Sequence, residues 1–320
     1  MLFRSKLPEL IGHDAEFIAT GHVRIVYDEA QFAVIDQYAK DAKHWGLDLE
    51  ILGRAELKKR FAFFGTEPCG GSYAPHDGHA NPRLAAPAFG RAAKRDGAQV
   101  IENCEVLAVE KDAQDFRVTT ATGLTVAAPA ALICSGAWGG AMSLRFGEAV
   151  PITPKGPTMG VTEPMPYGIV PVIGVSTMIE HEGVYFRQVK RGNIVFGGGR
   201  RNPAYLDHRR ANVNPNWTLA QLYELRRVVP ALGRLNVLRT WSGVEGYMSD
   251  DIPIMGPSAK VSGLYYAFGF CGHGFQLGPG VGDVMAELIA TGATTTPIEP
   301  FHIRRFALAP TATMPLAVNA

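Results

Sequence analysis

Hydrophobic and polar positions recur along this chain with two periods, and the switches between them mark its elements. Leu2, Leu7, Leu10 and Ile11 suit a short opening helix broken by Gly12. His22 to Tyr27 alternates as a half-buried strand does. Asp28 then predicts a capped helix through about Trp45, with Phe32, Ile35 and Ala39 at helical spacing. Leu49 to Leu52 reads as a short strand and Glu56 to Phe61 as a helix. Pro82 starts another helix to Arg95, closed by Gly97. Gln99-Val100-Ile101 is expected to rejoin a parallel sheet as a short β segment, and Ala130 to Cys134 reads as a fully buried strand.

From Pro151 the texture changes. Met159 to Thr162, Gly183 to Val189 and Asn193 to Gly198 read as antiparallel strands, with Lys190-Arg191-Gly192-Asn193 as a hairpin turn. Asn216 or Thr218 is the expected cap of a helix through Val228, ended at Pro230. Past Val237 the earlier pattern returns. Leu264 to Phe268 forms an apolar strand that empties through Gly269, Gly272 and Gly274 onto a helix, with Pro279 placed in its first turn. Such a junction gathers unpaired N–H groups and the positive end of the helix dipole, which favours a delocalised anion. The dinucleotide fingerprint is incomplete, because the third glycine would fall on Leu277 or Asp283. Taken alone, the turn reads equally well as packing.

Composition narrows the function classes. With 31 Lys+Arg against 30 Asp+Glu the net charge is +1, which leaves no basic footprint for nucleic acid or an anionic membrane. Cys69, Cys104, Cys134 and Cys271 are scattered without metal-ligand spacing, so neither a metal centre nor a disulfide framework is expected. A reducing compartment follows, and no apolar leader is visible after Met1, so the expected location is cytoplasmic. Val118 to Leu144 carries no charge, yet Thr119, Thr120, Thr122, Gly123, Pro129, Ser135, Gly139 and Gly140 make it too polar and broken for hydrocarbon; strands around a turn explain it better than a membrane span. No Ser-His-Asp order, His-Glu-x-x-His or P-loop supports a hydrolase or kinase.

Four motifs occur in one order: Asp77-Gly78-His79-Ala80-Asn81-Pro82; Ser135-Gly136-Ala137-Trp138 after a strand; Trp241-Ser-Gly-Val-Glu245-Gly-Tyr247 with Asp250-Asp-Ile-Pro253-Ile-Met-Gly256; and Gly272-His273-Gly274-Phe275-Gln276-Leu277 with Pro279-Gly280. Together they resemble the D-amino-acid-oxidase-like (DAO) FAD-dependent oxidoreductases. Where many members place an arginine for the substrate carboxylate, Glu245 stands, a pattern similar to hydrogen cyanide synthase and opine oxidase subunits. Family members open with a strand, a Gly-x-Gly-x-x-Gly turn and a helix that grip the FAD pyrophosphate. Nothing near Met1 resembles that βαβ unit of roughly 30 residues, so the chain is expected to be a relative lacking it, with FAD held weakly or not at all.

The resemblance implies an α/β (α+β) chain: a truncated Rossmann-like FAD domain with a parallel sheet over 1–13, 68–150 and 239–308, an antiparallel-sheet substrate domain over 14–67 and 151–238, and a tail over 309–320. It implies cofactor contacts at Val106, Ser135, Gly136, Trp138, Gly272, His273, Gly274, Phe275, Gln276 and Leu277. His273 reads as a base or, preferably, as a structural residue; Cys271 reads as a reactive thiol or, preferably, as a small filler of a tight turn. Tyr185 and Arg187 share one face of a strand, either as an inward-facing substrate pair or as a surface pair. An arginine fork would grip a carboxylate there. Glu245 either attracts an amine or guanidino group or is a buried structural acid. No catalytic residue is singled out.

Two functions follow. In the first, an FAD-dependent enzyme oxidises the C–N bond of an amino acid or secondary amine by hydride transfer to flavin, and the resemblance to oxidase subunits implies a hetero-oligomer with other such subunits as its partners. In the second, the chain is a non-catalytic remnant or subunit of that family, or one with a mis-assigned start, unable to bind FAD alone.

Overall fold

The structure, a computed structural model, describes residues 7–306. Leu2 and the 309–320 tail lie outside the described residues. The chain opens with α1 (Leu7–Ile11), β1 (His22–Val26), α2 (Glu29–Ala42), β2 (Glu50–Gly53), α3 (Arg54–Arg60), β3 (Gly70–Ala74) and α4 (Pro82–Arg95). Then come β4 (Val106–Lys111), β5 (Phe116–Thr120), β6 (Thr125–Ala128), β7 (Ala131–Ile133) and α5 (Gly139–Arg145). The middle holds β8 (Ile152–Gly156), β9 (Thr158–Pro164), β10 (Val172–Val175), β11 (Val184–Gln188), β12 (Asn193–Gly198), β13 (Asn202–Tyr205), β14 (Arg210–Ala211) and α6 (Pro215–Val228). β15 (Val237–Ser242), β16 (Glu245–Met248), β17 (Ile254–Pro257), β18 (Leu264–Phe268) and α7 (Gly274–Thr291) complete it. The mixed α/β class holds.

Two compact units divide these elements: residues up to Val100 with Lys155–Val244, and Ile101–Pro154 with the residues from Glu245 on. In the first, eight strands among the described residues form one sheet in the order β15-β9-β12-β11-β10-β1-β3-β2. Only the β1–β10 pair of this sheet is parallel. Residues 68–100 pack in this unit because β3 pairs both β1 and β2.

Alternation decides which face of the sheet is buried. Val23 and Ile25, Ile173 and Val175, Val184 and Phe186, and Ile194 and Phe196 point one way, onto Leu225 and Val228 of α6. Full burial of each such side chain contributes about 1.5–3 kcal/mol. Helix starts follow the sequence at α2, where Asp28 Oδ1 accepts the Gln31 N–H at 2.8 Å. At α6 the cap is Asn214, not Asn216 or Thr218: its side chain accepts the Asn216 N–H at 3.0 Å, and Pro215 fills the first helical position. The expected hairpin closes at Gly192, where φ is +95° and a Cβ would lie 2.2 Å from Met165 O, so only glycine fits.

In the second unit β18 lies between β17, antiparallel, and β7, parallel, with Leu264 opposite Ala131 and Tyr266 opposite Ile133. The 131–133 and 264–268 strands therefore share one sheet, as expected. β4, β5 and β6 form a separate antiparallel sheet. Leu264, Tyr266, Phe268, Ile133 and Phe116 are core. The buried Glu148 fixes the β17–β18 connection, accepting the Tyr266 hydroxyl at 2.8 Å, the Ala259 N–H at 2.7 Å and the Ser258 hydroxyl.

Three expectations are corrected here. Gln99–Ile101 forms no strand; it has no ladder partner among the described residues, and Ile101 is exposed. The 130–134 strand is buried on one face only, because β7 is an edge strand with Leu132 40% exposed. Pro279 lies inside α7, since the turn already enters the helix at Gly274 and the Leu277 N–H bonds His273 O. The uncharged 118–144 stretch folds as β5 to β7 and α5, and no helix among the described residues is long and apolar enough to cross a membrane.

Candidate functional site

The first unit leaves the second face of its large sheet lined with polar groups. Strand register puts Arg24, Gly174, Tyr185, Gly197, Met159 and Trp241 in one row across it. The neighbouring row carries Arg187, Val195, Val161 and Arg239, with His22 opposite Val172. Directly opposed residues point to the same side. Glycines in the first row make room. A Cβ on Gly197 would stand 2.3 Å from Met159 Sδ and 2.8 Å from Tyr185 Oη, and one on Gly174 would stand 3.2 Å from His22 Nε2.

Tyr185 and Arg187 therefore share the non-core face, as their spacing implied. Tyr185 is 41% exposed, and its hydroxyl donates to Met159 Sδ at 3.1 Å. Arg187 differs. Its Nε is buried with no hydrogen-bond partner, and no carboxylate lies within ion-pair distance among the described residues. Burial pushes its pKa below the ordinary arginine value, with Tyr185 opposing that shift. A guanidinium stays charged regardless.

Sequence reasoning passed over His79 as a site residue. Its backbone is fixed by a two-way bridge to Ile18, with N–H to O distances of 2.9 and 3.1 Å. Gly78 permits this approach: a Cβ there would lie 2.0 Å from Ile18 O. The ring's Nε2 is buried and partnerless. Burial, then the charge of Arg187, lower its pKa to about 4, while Glu16 opposes them. The sequence signal was available, a polar residue straight after the glycine of the Asp77-Gly78 turn.

The second unit gathers its candidate residues at one end of its parallel strands. Ser135 to Trp138 follow β7, and Gly269 to Gly274 follow β18, so both segments leave the carboxyl edge of neighbouring parallel strands. That edge is where open α/β sheets hold ligands. Ser135 Oγ is buried without a partner, and Gly136 has φ +55° with open space where a Cβ would be. Gly246 closes the third side, since a Cβ on it would meet Ala137 Cα at 2.9 Å.

The turn itself takes left-handed φ at Gly269 (+73°), Cys271 (+51°) and Gly272 (+85°). The cost at Cys271 is offset by burial and by its thiol, which donates to Gly269 O at 3.2 Å and accepts the Met248 N–H at 3.3 Å. Cys271 is thus a filler. Glu245 lies beside the turn: its Oε2 accepts the Tyr247 hydroxyl at 2.6 Å, and a Cβ on Gly272 would stand 3.3 Å from that Oε2 and 3.2 Å from Tyr247 Oη. His273 occupies the N-cap position of α7 with no side-chain cap bond, and its ring is exposed. The His273 side chain therefore does not cap the first turn of α7, whose N–H groups point along the helix axis toward the turn. Phe275, Gln276 and Leu277 are exposed around them. Val106 stands apart in this reckoning, exposed at the start of β4 in the other small sheet.

The family pattern described as "DAO: FAD dependent oxidoreductase" matches residues 1–288. The human mitochondrial sarcosine dehydrogenase is 25% identical over 314 residues, covering 94% of this chain and 34% of that protein, so the chain spans about a third of its length. The glycine oxidase of Geobacillus kaustophilus is 26% identical over 302 residues, covering 94% of this chain and 77% of that one. The hydrogen cyanide synthase subunit HcnC of Pseudomonas aeruginosa is 25% identical over 317 residues, covering 96% and 72%. Among solved structures, the L-proline dehydrogenase from P. horikoshii superposes with a TM-score of 0.87 at 27% identity, covering 96% of this chain and 81% of that one.

Proposed function

Because the chain belongs to the DAO family of FAD-dependent oxidoreductases, we propose that it oxidises the C–N bond of a carboxylate-bearing amine, an amino acid or secondary amino acid, with FAD as its cofactor. The flavin, when bound, supplies the acceptor for the hydride that leaves the carbon next to nitrogen. The residues present fit the flavin-ring end of such a group. The uncapped start of α7 offers N–H donors and a positive dipole end to the pyrimidine edge, where charge collects on reduction. Ser135 Oγ is an orphaned polar atom at the same sheet edge, and Gly136 leaves backbone approach open. Gly272 keeps the turn free of a Cβ that Tyr247 and Glu245 leave little room for.

The observation that carries the substrate class is Arg187, a half-buried guanidinium whose Nε has no partner. An anion brought by the ligand would complete it, and a carboxylate matches the fork of the guanidinium. Glu245 is committed to Tyr247, which favours its structural role over amine recognition. The names of the matched relatives agree in kind, since sarcosine, glycine and proline each carry a carboxylate beside the nitrogen-bearing carbon.

The test is anaerobic flavin reduction, followed by absorbance, with FAD and either sarcosine, glycine or L-proline, and with dimethylamine as the carboxylate-free control. Bleaching by at least one amino acid and not by dimethylamine is expected, with the preference lost in Arg187→Ala. Equal bleaching by dimethylamine, or no bleaching by any of them, overturns the proposal.

A further inference from the structure

Two buried nitrogens in the first unit lack partners among the described residues, Arg187 Nε and His79 Nε2, and the charge of Arg187 acts on the His79 ring. They come from different places: Arg187 from β11, His79 from the loop after β3. Leaving a buried donor unmade is expensive, and two together at one charge are more so. The surroundings do not relieve them. Glu16 is the acid that acts on His79, but its carboxylate is engaged by Asn81 Nδ2 at 3.0 Å, on the exposed side. Asp77 lies 3.7 Å from His22 Nδ1 instead. Gly78, where any side chain would strike Ile18 O, holds the loop so that His79 is presented inward.

We propose that His79 and Arg187 form one two-donor carboxylate site, in which Arg187 supplies the charge and the neutral His79, protonated at Nε2, is a positioning residue that fixes how the carboxylate sits. This rests on the reading of Arg187 as the substrate-carboxylate arginine and extends it to a second residue with a distinct signature. A histidine next to an uncompensated guanidinium is held neutral; an anion placed between the two removes that field and adds the opposite one. Carboxylate binding therefore raises the affinity of His79 for its proton, and binding below neutral pH takes up protons. Arg187 and Glu16 are the charged groups acting on this ring from the elements packed around it.

The experiment uses the 320-residue chain, sodium acetate as the probe and acetamide as its uncharged isostere. The His79 ring signal is titrated by NMR with pH, and acetate affinity is measured for wild type, Arg187→Ala, His79→Phe and His79→Asn. Expected is a midpoint near pH 4 for wild type, moved upward by acetate and not by acetamide. Arg187→Ala should raise the midpoint without acetate and abolish acetate binding. His79→Phe should weaken acetate binding roughly 2- to 10-fold, as for a lost neutral hydrogen bond, and His79→Asn, which keeps a neutral donor, should restore part of it. If Arg187→Ala still binds acetate as wild type does, both the substrate reading and this extension fail. If Arg187→Ala loses acetate while His79→Phe binds as wild type and the ring's midpoint ignores acetate, only the assignment of His79 fails.

Discussion

Arg227, on α6, stands among three carboxylates: Glu67 at 2.6 Å, Glu182 at 2.8 Å and Glu224 at 3.5 Å. Its guanidinium also lies 3.6 Å over the Tyr27 ring. Arg187, on β11 in the same unit, is half-buried and has no such acid among the described residues. Burial works against the charge of both. At Arg227 the hydrogen bonds to Glu182 and Glu67 outweigh it and raise the pKa; at Arg187 nothing does, and the pKa falls. The cavity beside Arg227, about 370 Å³ and lined by Glu67, His181, Glu182, Tyr223 and Glu224, is therefore the wall of a finished ion-pair network. The difference teaches where to look for a ligand. A charge whose counterions are built in serves the fold, and a charge without them has its counterion outside the chain.

The comparison breaks first at Arg227. Arg227→Met should destabilise the protein by about 3–5 kcal/mol, because the buried Glu224 and the half-buried Glu182 are left without their cation. Denaturant unfolding measures this. A loss below about 1 kcal/mol would mean the acids are as comfortable in water, and that the network is not what holds α6.

Arg187→Met is the matching change and should behave oppositely. No acid is orphaned by it, and an apolar side chain of similar length suits a partly buried site, so unfolding stability should stay the same or rise. The preference for sarcosine over dimethylamine should drop by about 1.5–3 kcal/mol, or roughly 10- to 150-fold, as for a charged hydrogen bond. Destabilisation on the scale of Arg227→Met would make Arg187 a structural cation after all.

The contrast between these arginines was only half legible in the sequence. Tyr185 and Arg187 could be placed on one face by the period of a strand, because that period needs no knowledge of partners. The glycine turn after Phe268 was legible for the same reason, since strand, glycines and helix are all local. What lay beyond reach depends on pairing. Nothing local says that Gly197, Met159 and Trp241 stand in the row of Tyr185, which only strand register fixes. Nor does it say that Glu67, far from Arg227 in the chain, satisfies it. The misplaced cap at Asn216 and the helix start at Gly274 were errors of a few residues, about half a turn to a turn and a half, where several residues offer the same chemistry. The strand expected at 99–101 failed because β propensity without a partner strand makes no ladder.

His79 sharpens the comparison through pH. Its folded pKa, about 4, lies below the 6.5 of a free histidine, mainly through burial and then through Arg187. Between those values the unfolded chain binds more protons than the folded one, so stability is whole above pH 6.5 and falls as pH drops toward 4. His79→Asn should flatten that part of the profile, and Arg187→Met should flatten it partly by removing the field. Thermal unfolding at pH 7, 5.5 and 4.5, compared between wild type and each variant, reads the effect. Parallel profiles for wild type and His79→Asn would show that the ring titrates normally and that the guanidinium does not reach it.

The smallest effect belongs to the other member of the Arg187 face. Tyr185 is 41% exposed, and its hydroxyl donates to a thioether, a weak acceptor. Tyr185→Phe keeps the ring that rests over Gly197 and removes only that oxygen, so stability should change by about 0.5 kcal/mol or less. If the carboxylate is held by Arg187 and His79, the sarcosine-to-dimethylamine preference should also stay within about 2-fold, a shift no larger than a weak neutral hydrogen bond allows. A loss of preference as large as that of Arg187→Met would move the carboxylate along the sheet to the row of Gly174, Tyr185 and Gly197, and would detach it from His79.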